Sequence, residues 1–148
     1  VIGIKKISDA WIADIVANLK TSLGLLTVEA HEPTYDDKTL AELMILAPAV
    51  LVRYEGLAPI ESERLADGAS GLNKEQFSLV FIAQSLLNPQ EGPVGCYTML
   101  DAFRARYNGY ALAIPGEGQV DLALGPHGFL QSDGGVVAYY QMYSYDAE

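Results

Sequence analysis

One cysteine, one tryptophan, two histidines and only nine basic residues against nineteen acidic ones stand in a chain of 148. Each scarcity excludes something. Cys96 alone cannot close an internal disulfide, so the fold must rest on its apolar core. With no histidine near it in sequence, Cys96 reads as a small packing residue rather than a nucleophile. Two histidines are too few for a three-histidine zinc site. The zinc-protease motif that seems to begin at His31 fails, because Tyr35 stands where its second histidine belongs. The glycine runs Gly116–Gly118 and Asp67–Gly71 lack both the dinucleotide-binding spacing and the GK[ST] ending of a phosphate loop, and no G-x-S-x-G occurs. Adjacent Asp36 and Asp37 read as a solvated turn or helix cap. No catalytic residue, cofactor or metal is therefore expected, and the chain reads as a non-enzyme.

Long apolar runs are also missing. None approaches the roughly 20 residues that cross a bilayer. The start, VIGIKKISDAW, carries two lysines but no apolar stretch before a small-residue cleavage site, so assembly in the cytoplasm, away from membranes, is expected. The shortage of Lys and Arg leaves a net charge of −10, and the few cations form no stripe. DNA affinity comes largely from cations that neutralise phosphates, so this chain should repel DNA rather than bind it.

What is present is apolar residue in quantity, 50% of the chain. A single domain spanning 1–148 can bury roughly two-thirds of its unfolded surface at this length. Ile7, Trp11, Ile15 and Leu19 recur at four-residue steps and predict an amphipathic helix, with Ser8 as its N-cap and Gly24 as its end. LLTVEAH then reads as a short strand, and a helical turn or two is expected around Leu40, Leu43 and Leu46. In PAVLVRYEG, alternation puts Val50, Val52 and Tyr54 on one face and Ala49, Leu51, Arg53 and Glu55 on the other, with Gly56 as the closing turn.

Residues 57–73 are polar, rich in small residues and without a period, which predicts a flexible arm or loop within the domain. Phe77, Leu79, Phe81 and Ala83 alternate with Ser78, Val80 and Ile82, a pattern apolar on both faces that predicts a central strand. Cys96, Met99, Leu100, Phe103 and Tyr107 form the stripe of a second helix, stopped at Asn108 and Gly109. A Gly- and Pro-broken excursion follows, with turns expected at PGEG, GPHG (holding His127) and SDGG. VVAYYQMYSYD closes the chain as a strand with Tyr139, Tyr143 and Tyr145 on one face.

The expected fold is α/β of the α+β kind, a single small domain with a mainly antiparallel sheet packed by two principal helices. If one helix packs on each face, Arg53 and Glu55 are an ordinary surface pair; if both pack on the Val50 and Val52 side, the opposite face lacks cover. A neighbouring subunit is the economical cover, and tyrosine suits such contacts because a large ring is buried while one polar handle stays free. Leu51, Arg53, Glu55, Tyr139, Tyr143 and Tyr145 are accordingly the candidate interface residues.

The order of these segments, above all PAVLVRYEG and FSLVFIAQS followed by MLDAFRARYNG, resembles the Mu-like contractile-phage tail family assigned as tail terminators. The resemblance covers nearly the whole chain. It implies a structural virion protein of a phage or phage-derived particle: a ring, hexameric in the family, capping the head-proximal end of the tail tube and stopping its growth. The implied partners are further copies of the chain, tail tube protein, tail sheath protein and neck or head-tail connector proteins, with DNA passing through without specific binding. A head-tail connector or neck subunit is the alternative within virion proteins, and a small enzyme or ligand-binding domain is the alternative of another class.

Overall fold

A computed structural model describes residues 2–31, 46–59, 73–87, 94–133 and 135–147. Helix α1 spans Ile4–Asn18, a single turn α2 Lys20–Leu23, and helix α3 Cys96–Tyr107. Strands follow as β1 (Thr27–Ala30), β2 (Ala49–Pro59), β3 (Asn73–Ala83), β4 (Ala111–Ile114), β5 (Gly118–Asp121), β6 (Ala123–Asp133) and β7 (Val136–Ala147). Five of them form one sheet in the order β1-β2-β3-β7-β6, and β4 and β5 form a separate hairpin. Only the β1–β2 pair is parallel; β2–β3, β3–β7 and β6–β7 are antiparallel. The α+β domain with a mainly antiparallel sheet against helices is as the periodicities predicted.

The stripe of α1 buries Ile7, Trp11 and Ile15 completely. The N-cap is Gly3, five residues before Ser8, and it makes no side-chain capping bond. Ile4 packs partly against the core, and that burial outweighs the missing cap. Gly24 ends α2 in the left-handed conformation, φ 67°, as its position suggested. In α3 the buried side chains are the predicted five, Cys96, Met99, Leu100, Phe103 and Tyr107.

Both helices lie on the face carrying Val50, Val52, Phe77, Leu79, Phe81, Tyr139, Tyr143 and Tyr145, which with them forms the main core. Trp11 is its hub: the rings of Phe77, Tyr107 and Tyr143 stand edge-on to it at centroid distances of 5.9, 5.6 and 5.0 Å. The β4–β5 hairpin closes one side with Leu112, Ile114 and Val120.

Two glycine-containing stretches depart from the expected turns. Gly56 does not end β2; it sits at a bulge after Tyr54 with φ 107°, and the strand runs on to Pro59, paired with Asn73. A positive φ lets glycine absorb the extra residue of a bulge where a side chain would be strained. The ends of the expected arm are therefore paired strand, while its 60–72 stretch and the helical turn expected at Leu40 and Leu43 lie outside the described residues. GPHG is likewise not a turn. It lies within β6, where the register shifts between Leu124 and His127. Buried Gln141 donates from Nε2 to the carbonyl oxygens of Gly125 and Met142, both at 2.8 Å, which satisfies acceptors that the irregular ladder leaves over.

One polar cluster joins the helices. The Asp14 carboxylate of α1 accepts from Arg106 Nε at 2.8 Å, Arg106 Nη2 at 3.1 Å, the Tyr107 hydroxyl at 2.6 Å and the Tyr110 hydroxyl at 3.0 Å. Burial pushes the Asp14 carboxyl up, but these hydrogen bonds and the Arg106 charge outweigh it and hold the group below its ordinary 3.8. A carboxyl with a depressed folded pKa stabilises fully above its unfolded value, and that contribution is lost as pH falls through the folded one. Replacing Asp14→Asn should cost about 2 kcal/mol at neutral pH, in the range of hydrogen bonds to charged groups. The gap between parent and variant in urea unfolding should then narrow below about pH 4. A gap that stays constant down to about pH 2 would show that the charge of Asp14 contributes nothing.

Candidate subunit interface

The six residues singled out from sequence do not form one exposed surface. Leu51 is 1% exposed within the single chain and belongs to a second small core with Ala49, Val80, Ile82 and Ala138, flanked by Ala47 and Val136. The alternation was read correctly, but its supposed consequence, a face left bare for a neighbour, does not hold at this residue. Tyr143 and Tyr145 are buried on the helix face, where the Tyr143 hydroxyl donates to the Phe103 carbonyl at 3.3 Å and the Tyr145 hydroxyl donates to Glu75. Burial drives both phenols up, and the Glu75 carboxylate raises Tyr145 further. These two tyrosines join the sheet to the core.

Arg53 and Glu55 do reach the surface. Their side chains are each 26% exposed, and they pair with one another on β2. The buried Ser78 hydroxyl, opposite Arg53 in the ladder, accepts from Arg53 Nε at 3.1 Å and donates to Glu55 Oε1 at 3.2 Å. The pair thus caps the polar end of a face whose other end is apolar. It is internally satisfied before any partner arrives.

Tyr139 is different. It is 9% exposed, yet its hydroxyl meets His127 Nδ1 at 2.7 Å and its ring stands edge-on to Tyr97 of α3 at 5.6 Å. Opposite it on β6 is Phe129, which is 52% exposed, and the next residue Leu130, at the register shift that follows Phe129, is 39% exposed. Among the described strands β6 pairs with β7 alone and forms one edge of the sheet. A long edge strand with large exposed apolar side chains invites pairing with another chain.

Sequence reasoning missed this edge because Gly125, Pro126 and Gly128 look like turn residues. The available signal was Phe129-Leu130, two large apolar residues inside an otherwise polar, glycine-rich stretch. Close packing explains one of the glycines: a Cβ at Gly128 would lie 3.1 Å from the Tyr140 ring.

Cys96 is fully buried, and burial pushes its thiol up to about 11, which removes the thiolate that nucleophilic chemistry needs. Among the described residues no three His, Cys, Asp or Glu side chains converge as a metal site, and no helix is long and apolar enough to cross a membrane. No protein-family model matches the chain, and no curated protein matches it significantly.

The two halves of the β2 surface should respond differently to mutation. Leu51→Asp puts an unpaired charge into a closed core and should destabilise the folded chain itself by at least about 3 kcal/mol. Arg53→Glu, at a part-exposed pair, should cost about 1 kcal/mol or less. Urea unfolding of both variants checks this, and equal midpoints would show that Leu51 is not a core residue of the single chain.

Proposed function

We propose that this chain is a structural subunit of a closed ring that caps the head-proximal end of a contractile-tail tube. The observation that carries the reading is the β6 edge, which no other described strand pairs and on which Phe129 and Leu130 are exposed. The two edges of the sheet are unlike: β1 is four residues long and parallel to its neighbour, while β6 is eleven long and antiparallel. Contacts made through two unlike surfaces are head-to-tail, and such contacts generate either a closed ring or an open filament. A ring is the arrangement that fits a protein whose task is to stop polymerisation.

The segment order that resembles the Mu-like tail terminators supports the same reading, and the partners would then be tube, sheath and neck proteins. The charge of −10 fits a bore through which DNA slides without adhering. On this reading the chain does its work by shape and contact, with no reaction to catalyse and no cofactor to hold.

Native mass measurement of the purified chain, alone and mixed with the tube protein of the same tail, tests the proposal. The expected species is a ring of six times the 16.0 kDa subunit, bound to the end of assembled tubes and halting their growth. A chain that stays monomeric with and without tube protein sinks the ring reading. One that assembles but binds only the portal side would be a connector instead.

A further inference from the structure

In a chain that is acidic overall, where a second copy can dock is constrained by its cations. Seven of the nine basic residues are described. Lys5, Lys6, Arg53, Lys74 and Arg106 each already hold a carboxylate of the same chain: Asp9, Glu117, Glu55, Asp146 and Asp14 respectively. Among the described residues Lys20 and Arg104 have none. Lys20 sits on the four-residue helix α2. Arg104 sits on α3, seven residues and hence two turns beyond Tyr97, on the same side of the helix. Burial raises the phenols of Tyr139 and Tyr143 of β7, the strand that carries β6, and the Arg104 charge partly offsets it, which puts the guanidinium within electrostatic reach of both.

Arg104 therefore belongs to a patch formed with Tyr97, Tyr139, His127 and Phe129. Tyr97 is 39% exposed and Phe129 52%. Aromatic rings with an arginine, beside an edge strand, are the composition enriched at protein contacts and at their energetic centres. Two copies of this chain repel on average, since each carries −10. A self-contact is favoured where an unpaired cation of one copy meets one of the many carboxylates of the next.

We propose that the Arg104, Tyr97, Tyr139, His127 and Phe129 patch beside β6 is one half of the contact between copies of this chain, receiving a carboxylate-bearing surface of the neighbouring copy. This deepens the ring reading and rests on it. Phe129 and Tyr97 supply the burial, and Arg104 supplies the charge that selects an acidic neighbour and fixes its orientation. The complementary half is a different, acidic surface, so the contact is head-to-tail.

Sedimentation velocity over a range of concentration and salt, on the parent and on Arg104→Glu, Arg104→Lys, Phe129→Ser and Lys20→Glu, tests it. All three positions are at least partly exposed, and circular dichroism verifies that each variant folds. Arg104→Glu and Phe129→Ser should each weaken assembly at least tenfold, Arg104→Lys should retain part of it, and Lys20→Glu, which changes net charge by the same amount, should assemble as the parent does. The gap between parent and Arg104→Glu should narrow as salt rises. If the parent forms rings and Arg104→Glu and Phe129→Ser form them equally well, the patch is not the contact, although the ring reading stands. If those variants form rings but no longer bind tube protein, the patch serves the tube and the proposal of a second copy is overturned. A parent that never assembles overturns both.

Discussion

The packing of Trp11 is the contact on which the rest of the domain depends. One fully buried indole touches Phe77 of the central strand, Tyr143 of its neighbour β7 and Tyr107 of α3, so a single side chain of α1 fixes three other elements. Aromatic side chains bury the most area of any, and edge-on pairs add about 0.5–1.5 kcal/mol each beyond that burial. Asp14, three residues on and therefore on the same side of α1, adds the polar counterpart through Arg106, Tyr107 and Tyr110. Together they hold both principal helices on one face of the sheet. The two anchors differ in their dependence on conditions: the aromatic one is indifferent to pH, whereas the carboxylate one needs Asp14 ionised.

That arrangement decides what is left at the surface. Helix α1 lies against β1 and β2, and α3 against β3, β7 and β6. Cover is complete over the centre of the sheet, where Leu79, Phe81 and Ala83 are wholly buried, and it gives out toward the far end of β6. There Tyr139 is still enclosed while Phe129, its cross-strand partner, is half in solvent. The bulges lie toward opposite sides of the sheet. One follows Tyr54 and the others interrupt β6, which is where bulges re-aim side chains and limit pairing in sheets generally. The gradient from buried tyrosine to exposed phenylalanine gives the ring reading a physical location.

Charge works alongside this geometry. Five described cations are neutralised within the chain, whose net charge is −10. On the ring reading that charge discourages indiscriminate association and DNA adhesion, and Arg104 is a specific point of attraction. Burial and charge thus point to the same edge of the molecule.

The sequence by itself determined the elements and which side chains share a face. The stripe Ile7–Trp11–Ile15, the five buried positions of α3 and the two-sided pattern of Phe77–Ala83 were all legible, because period 3.6 and period 2 are local properties that survive any arrangement of neighbours. Only the tertiary structure decided where those faces go. Tyr143 and Tyr145 look like interface residues in a list of tyrosines, and became core because both helices settled on their side. Leu51 looked uncovered, and became core as part of a second cluster whose members Val80 and Ala138 come from β3 and β7. Gly56 and GPHG looked like turns, and became bulges because their backbones found ladder partners and, in β6, the side chain of Gln141 sixteen residues away in sequence from Gly125. Local sequence carries a residue's preferences; whether a strand continues through a glycine, or a ring meets solvent, is set by partners that are brought near only when the chain is folded.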